Sequence, residues 1–336
     1  MMALKAGVRH DDLRGPQMTT TPNPLANVKI GIGLPTLGER DTLGNLDAVG
    51  AARHVEALGL DFVDAADLIV GDGTPTLEVT VALAAAAAVT ERVRIGFGVL
   101  ALPLRPVAWV AAQVQALQHI SGNRVLLGVG SGGLPDSPFW RAVGIPGRER
   151  GRRTDAALAV LPQLIAGEPT RLTDQPGQPV VTLAPAAPVP PILVGGNAEV
   201  AIRRAATYGD GWYPSQIAPR TLAVGVAKLR ELATDRGRAA PAVHVGGLTI
   251  QSDQEAVHAA RAARASFVRD LPGGHGISPE EAMATVTASP EEAAEQFAAY
   301  AAAGADSICI SPGIGSVGYE WMRQCELVAH ARAMLA

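Results

Sequence analysis

Short apolar runs ending in glycine or proline recur along the chain, and longer segments with apolar residues at helical spacing separate them. Lys29–Pro35 (KIGIGLP), Leu60–Leu68, Arg94–Leu100, Val125–Gly130, Pro191–Gly196, Asp210–Pro214, Val243–Gln251 and Asp306–Pro312 read as buried strands. Leu43–Leu58, stopped by Gly59, and Thr74–Val89, with Thr74 as N-cap and Pro75 in the first turn, read as helices. Pro106–Ile120, Arg148–Ala166, Ala198–Tyr208 and Pro219–Arg236 follow the same spacing. Ser252 with Glu255, Ser278 with Glu281 and Ser289 with Glu292 fit the capping-box interval, and a closing helix starts at Tyr319.

About eight strands alternating with about eight helices predict a (β/α)8 (TIM) barrel, with its insertion loops at the C-terminal face. The rival is a doubly wound sheet with a dinucleotide loop. Gly128-Val-Gly-Ser-Gly-Gly133 has part of that glycine spacing, but Leu134-Pro135-Asp136-Ser137-Pro138 follows it. Prolines so placed break the helix such a loop must enter. Residues 1–27 mix charge, proline and threonine without periodicity and read as a disordered leader, with one domain over 28–336. Two segments are irregular. Leu134–Gly147 is an apolar-aromatic loop that should cover something, and Leu172–Pro191 should wrap the outside.

Composition adds exclusions. Hydrophobic residues make 48% of the chain and charged residues 18%, so a large core is available. A net charge of -4 argues against nucleic acid or an anionic membrane as partner, leaving a small molecule. With no membrane-length apolar run and no signal-like leader, the expected location is cytoplasmic. Cys309 and Cys325 are too few for a disulfide framework, and no histidine or cysteine spacing suits a metal.

The barrel reading turns attention to strand ends, where such folds keep their ligands. Gly96, Gly98, Gly128, Gly130, Gly132 and Gly133 cluster there and suggest a flat ligand against bare backbone. RIGFGVLALPLRP (from Arg94), NRVLLGVGSGG (from Asn123), RGRRTDAAL (Arg150–Leu158), PPILVGGN (Pro190–Asn197) and GDGWYP (Gly209–Pro214) occur in that order. Together they resemble the luciferase-like flavin-dependent oxidoreductases, which include monooxygenases and enzymes using the deazaflavin coenzyme F420. The likeness runs from about Lys29 to the last helix, and its closest flavour is the F420-dependent branch.

The resemblance implies a ring-shaped coenzyme at the C-terminal mouth. It implies a non-proline cis peptide at Gly98-Val99, against the ring, and main-chain contacts from Ser131, Gly132 and Gly133. Asp67 would sit beside the ring, and either Asp67 or solvent would supply a proton. Gly195-Gly196-Asn197, a strand end leading into a helix with Asn197 as N-cap, would seat the coenzyme phosphate, helped by an arginine the sequence does not single out. The sugar-phosphate-oxidising branch carries a histidine after the aspartate and a glutamate after the Ser-Gly pair; here these are Leu68 and Gly133. The implied activity is therefore hydride transfer between reduced F420 and an imine, activated alkene or carbonyl, not sugar-phosphate oxidation. The alternatives are an FMN-dependent monooxygenase and a coenzyme-binding homologue without catalysis. The family is commonly dimeric, so a homodimer is expected. Phe139, Trp140, Trp212 and His275 are candidates for the substrate pocket, with core packing an equal reading for Trp212.

Overall fold

The computed structural model describes residues 27–37, 48–270, 276–311 and 318–335. Its strands β1 (Lys29–Gly33), β2 (Phe62–Ala65), β3 (Arg94–Phe97), β4 (Val125–Gly130), β5 (Ile192–Gly195), β6 (Gly211–Tyr213), β7 (Ala242–Ile250) and β8 (Ser307–Ile310) are all parallel. Each pairs with its successor, and β8 returns to β1 through Lys29↔Ser307, which closes the ring. This is the expected (β/α)8 barrel. Outside it pack α1 (Ala48–Ala57), α2 (Val79–Ala88), α3 (Val107–Ser121), α4 (Arg150–Ile165), α5 (Glu199–Tyr208), α6 (Pro219–Thr234), α7 (Gln254–Asp270), α8 (Pro290–Ala302) and α9 (Gly318–Ala333).

Strand alternation splits the core into two layers. The outward set, with Ile30, Ile32, Val63, Ile95, Leu127, Val129, Val194 and Val245, merges with the helices into one large cluster. The inward set is a separate, smaller group of Phe62, Leu126, Leu193, Tyr213 and Cys309, with Val99 packed on it. Glycines fill many of the other inward positions and give these few large side chains their room. A methyl group on Gly246 would lie 2.6 Å from the Tyr213 ring, and one on Gly31 would overlap Phe62.

Several helix starts differ from the sequence reading. α2 begins at Val79, not Thr74: Glu78 caps it, accepting the Val81 amide at 2.8 Å, while the Thr74 amide turns back to Asp72. Glu78 competes better because its carboxylate also pairs with Arg105. At α7, Asp253 rather than Ser252 accepts an amide, that of Ala256, since a carboxylate is the stronger acceptor. At Ser278 and Ser289 the serine caps form as expected, accepting the amides of Glu281 and Glu292, while the two glutamate carboxylates accept the amides of Ala218 and Ala288 instead of closing the box. The 134–147 loop contains a short helical turn, Pro138–Ala142, and the outer wrap contains a small hairpin of Thr170–Arg171 with Val180–Val181. Both cysteines are buried and free. Among the described residues no helix is long and apolar enough to cross a membrane. The leader up to residue 26, the start of the first expected helix at Leu43 and His275 lie outside the described residues.

Candidate functional site

The C-terminal ends of β3, β4 and β5 meet around one side chain. After β3 the peptide Gly98–Val99 is cis, where the resemblance expects such a bond, and the chain then re-pairs with β4 through Leu100↔Val129 and Ala101↔Gly130. Val99 points inward over the barrel core. Its methyls lie about as close as possible to the neighbouring strand ends: a Cβ on Gly195 would stand 3.0 Å from both, and one on Gly130 2.9 Å from one of them.

That geometry gives the glycines a packing reason of their own. Gly96 and Gly98 leave space for Asp64, Gly128 leaves space for the Phe97 carbonyl, Gly130 and Gly195 leave space for Val99, and Gly132 (φ 79°) leaves space for the Trp140 ring. Protein atoms stand on the side of each where a Cβ would point. Gly133 is different: it is exposed and a Cβ there would meet nothing within 4 Å.

Asp67 ends the β2 segment with its side chain only 1% exposed. Its Oδ2 accepts from Arg105 Nη1 at 2.6 Å and from the Ala101 amide at 2.9 Å, and its Oδ1 accepts from Arg105 Nη2 at 3.1 Å. Burial by itself would weaken the Arg105 charge, but the bonds and charges of Asp67 and Glu78 outweigh it and raise its pKa. Asp67 is thus bound into a bidentate pair that ties the β2 end to the segment after Val99.

Asn197 is not the cap of α5. Ala198 holds that position without a side-chain bond. Asn197 instead clamps the β6 loop, donating to the Ser215 carbonyl at 2.8 Å and accepting the Ser215 amide at 2.9 Å. The first turn of α5 is left without a side-chain cap, the condition under which helix amides and dipole serve an anion.

Of the proposed pocket aromatics, Trp212 is core: it faces outward, 1% exposed, packs against Gly225 of α6, and its indole donates to the Gly196 carbonyl at 2.8 Å. Trp140 is buried over Gly132, and Phe139 is half-buried beside Gly71, with its amide bonded to the Val70 carbonyl. These two hold the 134–147 loop against the β2 and β4 ends.

Beside this rim lies an open cleft of about 700 Å³ lined by Ser131, Asp136, Arg148, Arg150, Val200 and Arg204 among others. Arg150 donates to the Gly132 carbonyl at 3.3 Å, Arg204 pairs with Asp155 at 2.6 Å, and Arg148 is exposed. The cleft joins the Ser131–Gly133 segment, the start of α4 and the uncapped first turn of α5, from which Val200 comes. With Arg204 paired to Asp155, Arg148 and Arg150 against Asp136 give the cleft the chemistry to take an anion. The sequence carried one signal for it. Arg148, Arg150, Arg152 and Arg153 crowd a helix start, where the dipole disfavours cations.

Under the rim the barrel holds a polar chain absent from the sequence reading. Asp64 is 3% exposed; Tyr213 donates to its Oδ2 at 2.6 Å, and His244 Nε2 lies 3.1 Å from the same oxygen. Ser307 Oγ is 2.5 Å from His244 Nδ1. Burial, then the Asp64 charge, pushes the Tyr213 phenol well above its usual pKa, so it stays a donor. Burial likewise raises Cys309. The missed signal was parity: Asp64 follows Phe62 by two residues and so shares its inward face.

Comparison with known proteins places the chain among relatives. Residues 37–307 match the family model described as luciferase-like monooxygenase. An uncharacterized protein of Mycobacterium tuberculosis is 37% identical over 187 residues, which is 52% of this chain and 60% of that protein's length. The monooxygenase RslO1 of Streptomyces bottropensis superposes with a TM-score of 0.71 at 22% identity, covering 90% of this chain and 98% of its own. An F420-dependent secondary alcohol dehydrogenase, solved with an F420-acetone adduct, gives 0.70 at 20% identity, covering 90% and 99%.

Proposed function

The chain belongs to the luciferase-like monooxygenase family, and from that premise we propose that it is an F420-dependent oxidoreductase, exchanging a hydride with a small imine, activated alkene or carbonyl. The observation that carries this reading is the arginine-lined cleft beside the β3–β5 rim, because the coenzyme is a planar ring with an anionic tail. Arg148, Arg150 and the first turn of α5 would hold the phosphate, with Arg204 braced behind by Asp155. Gly133, Ser131 and the Gly98–Val99 backbone would meet the ring and fix its height above Val99. Trp140 and Phe139 keep the covering loop packed and so exclude water from that side.

When bound, a deazaflavin supplies the hydride donor or acceptor and reacts poorly with oxygen. The protein supplies position and charge. With Asp67 tied to Arg105, we assign Asp67 an anchoring role and leave proton supply to solvent entering the open cleft. The second reading is an FMN-dependent monooxygenase, which the description of the matching family favours; the same residues would hold FMN, whose tail is also a phosphate. Incubating the full chain with reduced F420 and a panel of imines, enones and ketones tests the first reading through coenzyme oxidation under anaerobic conditions. Turnover only with reduced FMN and oxygen would select the second.

A homodimer is part of the same reading. α2 is apolar on all sides although Val81 is 69% exposed, and Trp109 on the neighbouring α3 is 67% exposed. Trp109→Glu should halve the mass seen by sedimentation; a wild-type monomer would refute the dimer.

A further inference from the structure

The barrel interior holds an ionisable chain that neither the cleft nor the Asp67–Arg105 pair requires. Ser307, His244, Asp64 and Tyr213 come from β8, β7, β2 and β6 and are linked by contacts of 2.5, 3.1 and 2.6 Å. Aromatic contacts lock it further. The His244 ring lies 4.3 Å from Tyr213, edge to face, and 4.7 Å from Phe62. Leu126, Leu193 and Cys309 complete the wall, and Arg94 lies next to Phe62 across the β2–β3 pairing. A buried carboxylate in such surroundings is costly unless its partners are all present.

The position of this chain gives it a use. A methyl on Gly98 would meet Asp64 Cβ at 3.1 Å, Tyr213 Oη at 3.2 Å and Asp64 Oδ2 at 3.3 Å. The Asp64–Tyr213 bond therefore lies directly beneath the Gly98 side of the turn, whose Gly98 amide donates to the Ala65 carbonyl at 2.8 Å. Asp64 also forbids any side chain at Gly96, so β3 can approach it only as bare backbone. Apolar side chains of the same volume would fill the space without directional bonds and would let the turn settle at several heights.

We propose that Asp64, Tyr213 and His244 form a positioning unit that sets the height of the Gly98–Val99 turn and thereby the fit of the coenzyme ring upon it. Tyr213 and His244 orient the Asp64 carboxylate, and Ser307 orients His244. None of them touches the coenzyme. The inference rests on the coenzyme reading above, and its test separates the two.

The full chain is titrated with F420 and with FMN, following fluorescence quenching and the absorbance of the bound coenzyme, for wild type, Tyr213→Phe, Asp64→Asn and His244→Gln. Tyr213→Phe removes only the phenol oxygen, and His244→Gln keeps a donor for Asp64. Tyr213→Phe and Asp64→Asn should weaken binding about tenfold, the order of one lost charged hydrogen bond, and alter the bound-state absorbance. His244→Gln should stay within about threefold of wild type, the conservative rescue. Tyr213→Phe binding as wild type with an unchanged spectrum, even at a lowered melting temperature, overturns the proposal by reducing the chain to core packing. Should Asp64→Asn fail to fold, Tyr213→Phe decides alone. A folded wild type that binds neither coenzyme overturns the functional reading and this proposal together, whereas binding insensitive to Tyr213 overturns this proposal only.

Discussion

Asp64 and Gly96 stand opposite each other on β2 and β3, and the Asp64 carboxylate fills the space where any side chain on Gly96 would begin. The relationship explains a glycine in mid-strand, where it otherwise weakens a sheet. Gly96→Ala must displace a carboxylate held by Tyr213 and His244 and should destabilise the protein by about 3 kcal/mol or more. Gly133→Ala, with open space around its Cβ, should change stability by less than about 0.5 kcal/mol. Denaturant unfolding of the two variants checks both. Equal effects would show that the barrel interior is not packed as described.

Asp67 gives a second separation. Asp67→Asn leaves Arg105 with a weakened buried pair and should cost about 2–4 kcal/mol of stability. Turnover of the folded variant, measured well below its melting temperature, should remain within about threefold of wild type. A hundredfold loss of turnover with stability intact would instead make Asp67 the proton donor.

Glu56 supplies a pH-dependent handle on the fold. Burial would raise its pKa, but amides of Val93, Arg92 and Glu91 and the Arg92 charge outweigh that and leave it lowered. A lowered folded-state pKa means stability present above the unfolded carboxylate value and lost as pH falls through the folded one. Glu56→Gln should therefore lower stability at neutral pH by less than about 1 kcal/mol, because solvent screens these bonds, and its gap to wild type should shrink below about pH 4. Urea unfolding at several pH values measures the gap; a gap that stays constant would contradict this origin.

Much of the fold was legible because buried parallel strands and amphipathic helices have different periods. Val125–Gly130 is a strand as read, and the Ser278 and Ser289 caps form where serine faces a glutamate amide three residues on. Helix starts were harder. Thr74 and Ser252 fit the local rule, but Glu78 and Asp253 offered stronger acceptors nearby. At the site, the sequence reading had a flat ligand approach the strand-end glycines, and the groups that stand where their Cβ atoms would be belong to the protein. Val99, Asp64 and Trp140 come from elsewhere in the chain, and that is a tertiary fact. The Asp64–Tyr213 pair is separated by 149 residues, so neither residue alone advertised it. Asn197 has a capping residue's chemistry but spends it on Ser215 across the rim.

An arginine cleft at the β4–β5 rim that takes the phosphate of a planar coenzyme, as proposed, makes binding depend on that phosphate. Fluorescence titration of the full chain with F420 and FMN, against each ring system lacking its phosphate, tests it most directly. Saturation is expected at one coenzyme per chain, with the phosphate-free form of that coenzyme about tenfold weaker or worse and the difference narrowing as salt is raised. Equal binding with and without the phosphate, or no saturable binding of either coenzyme, would contradict it.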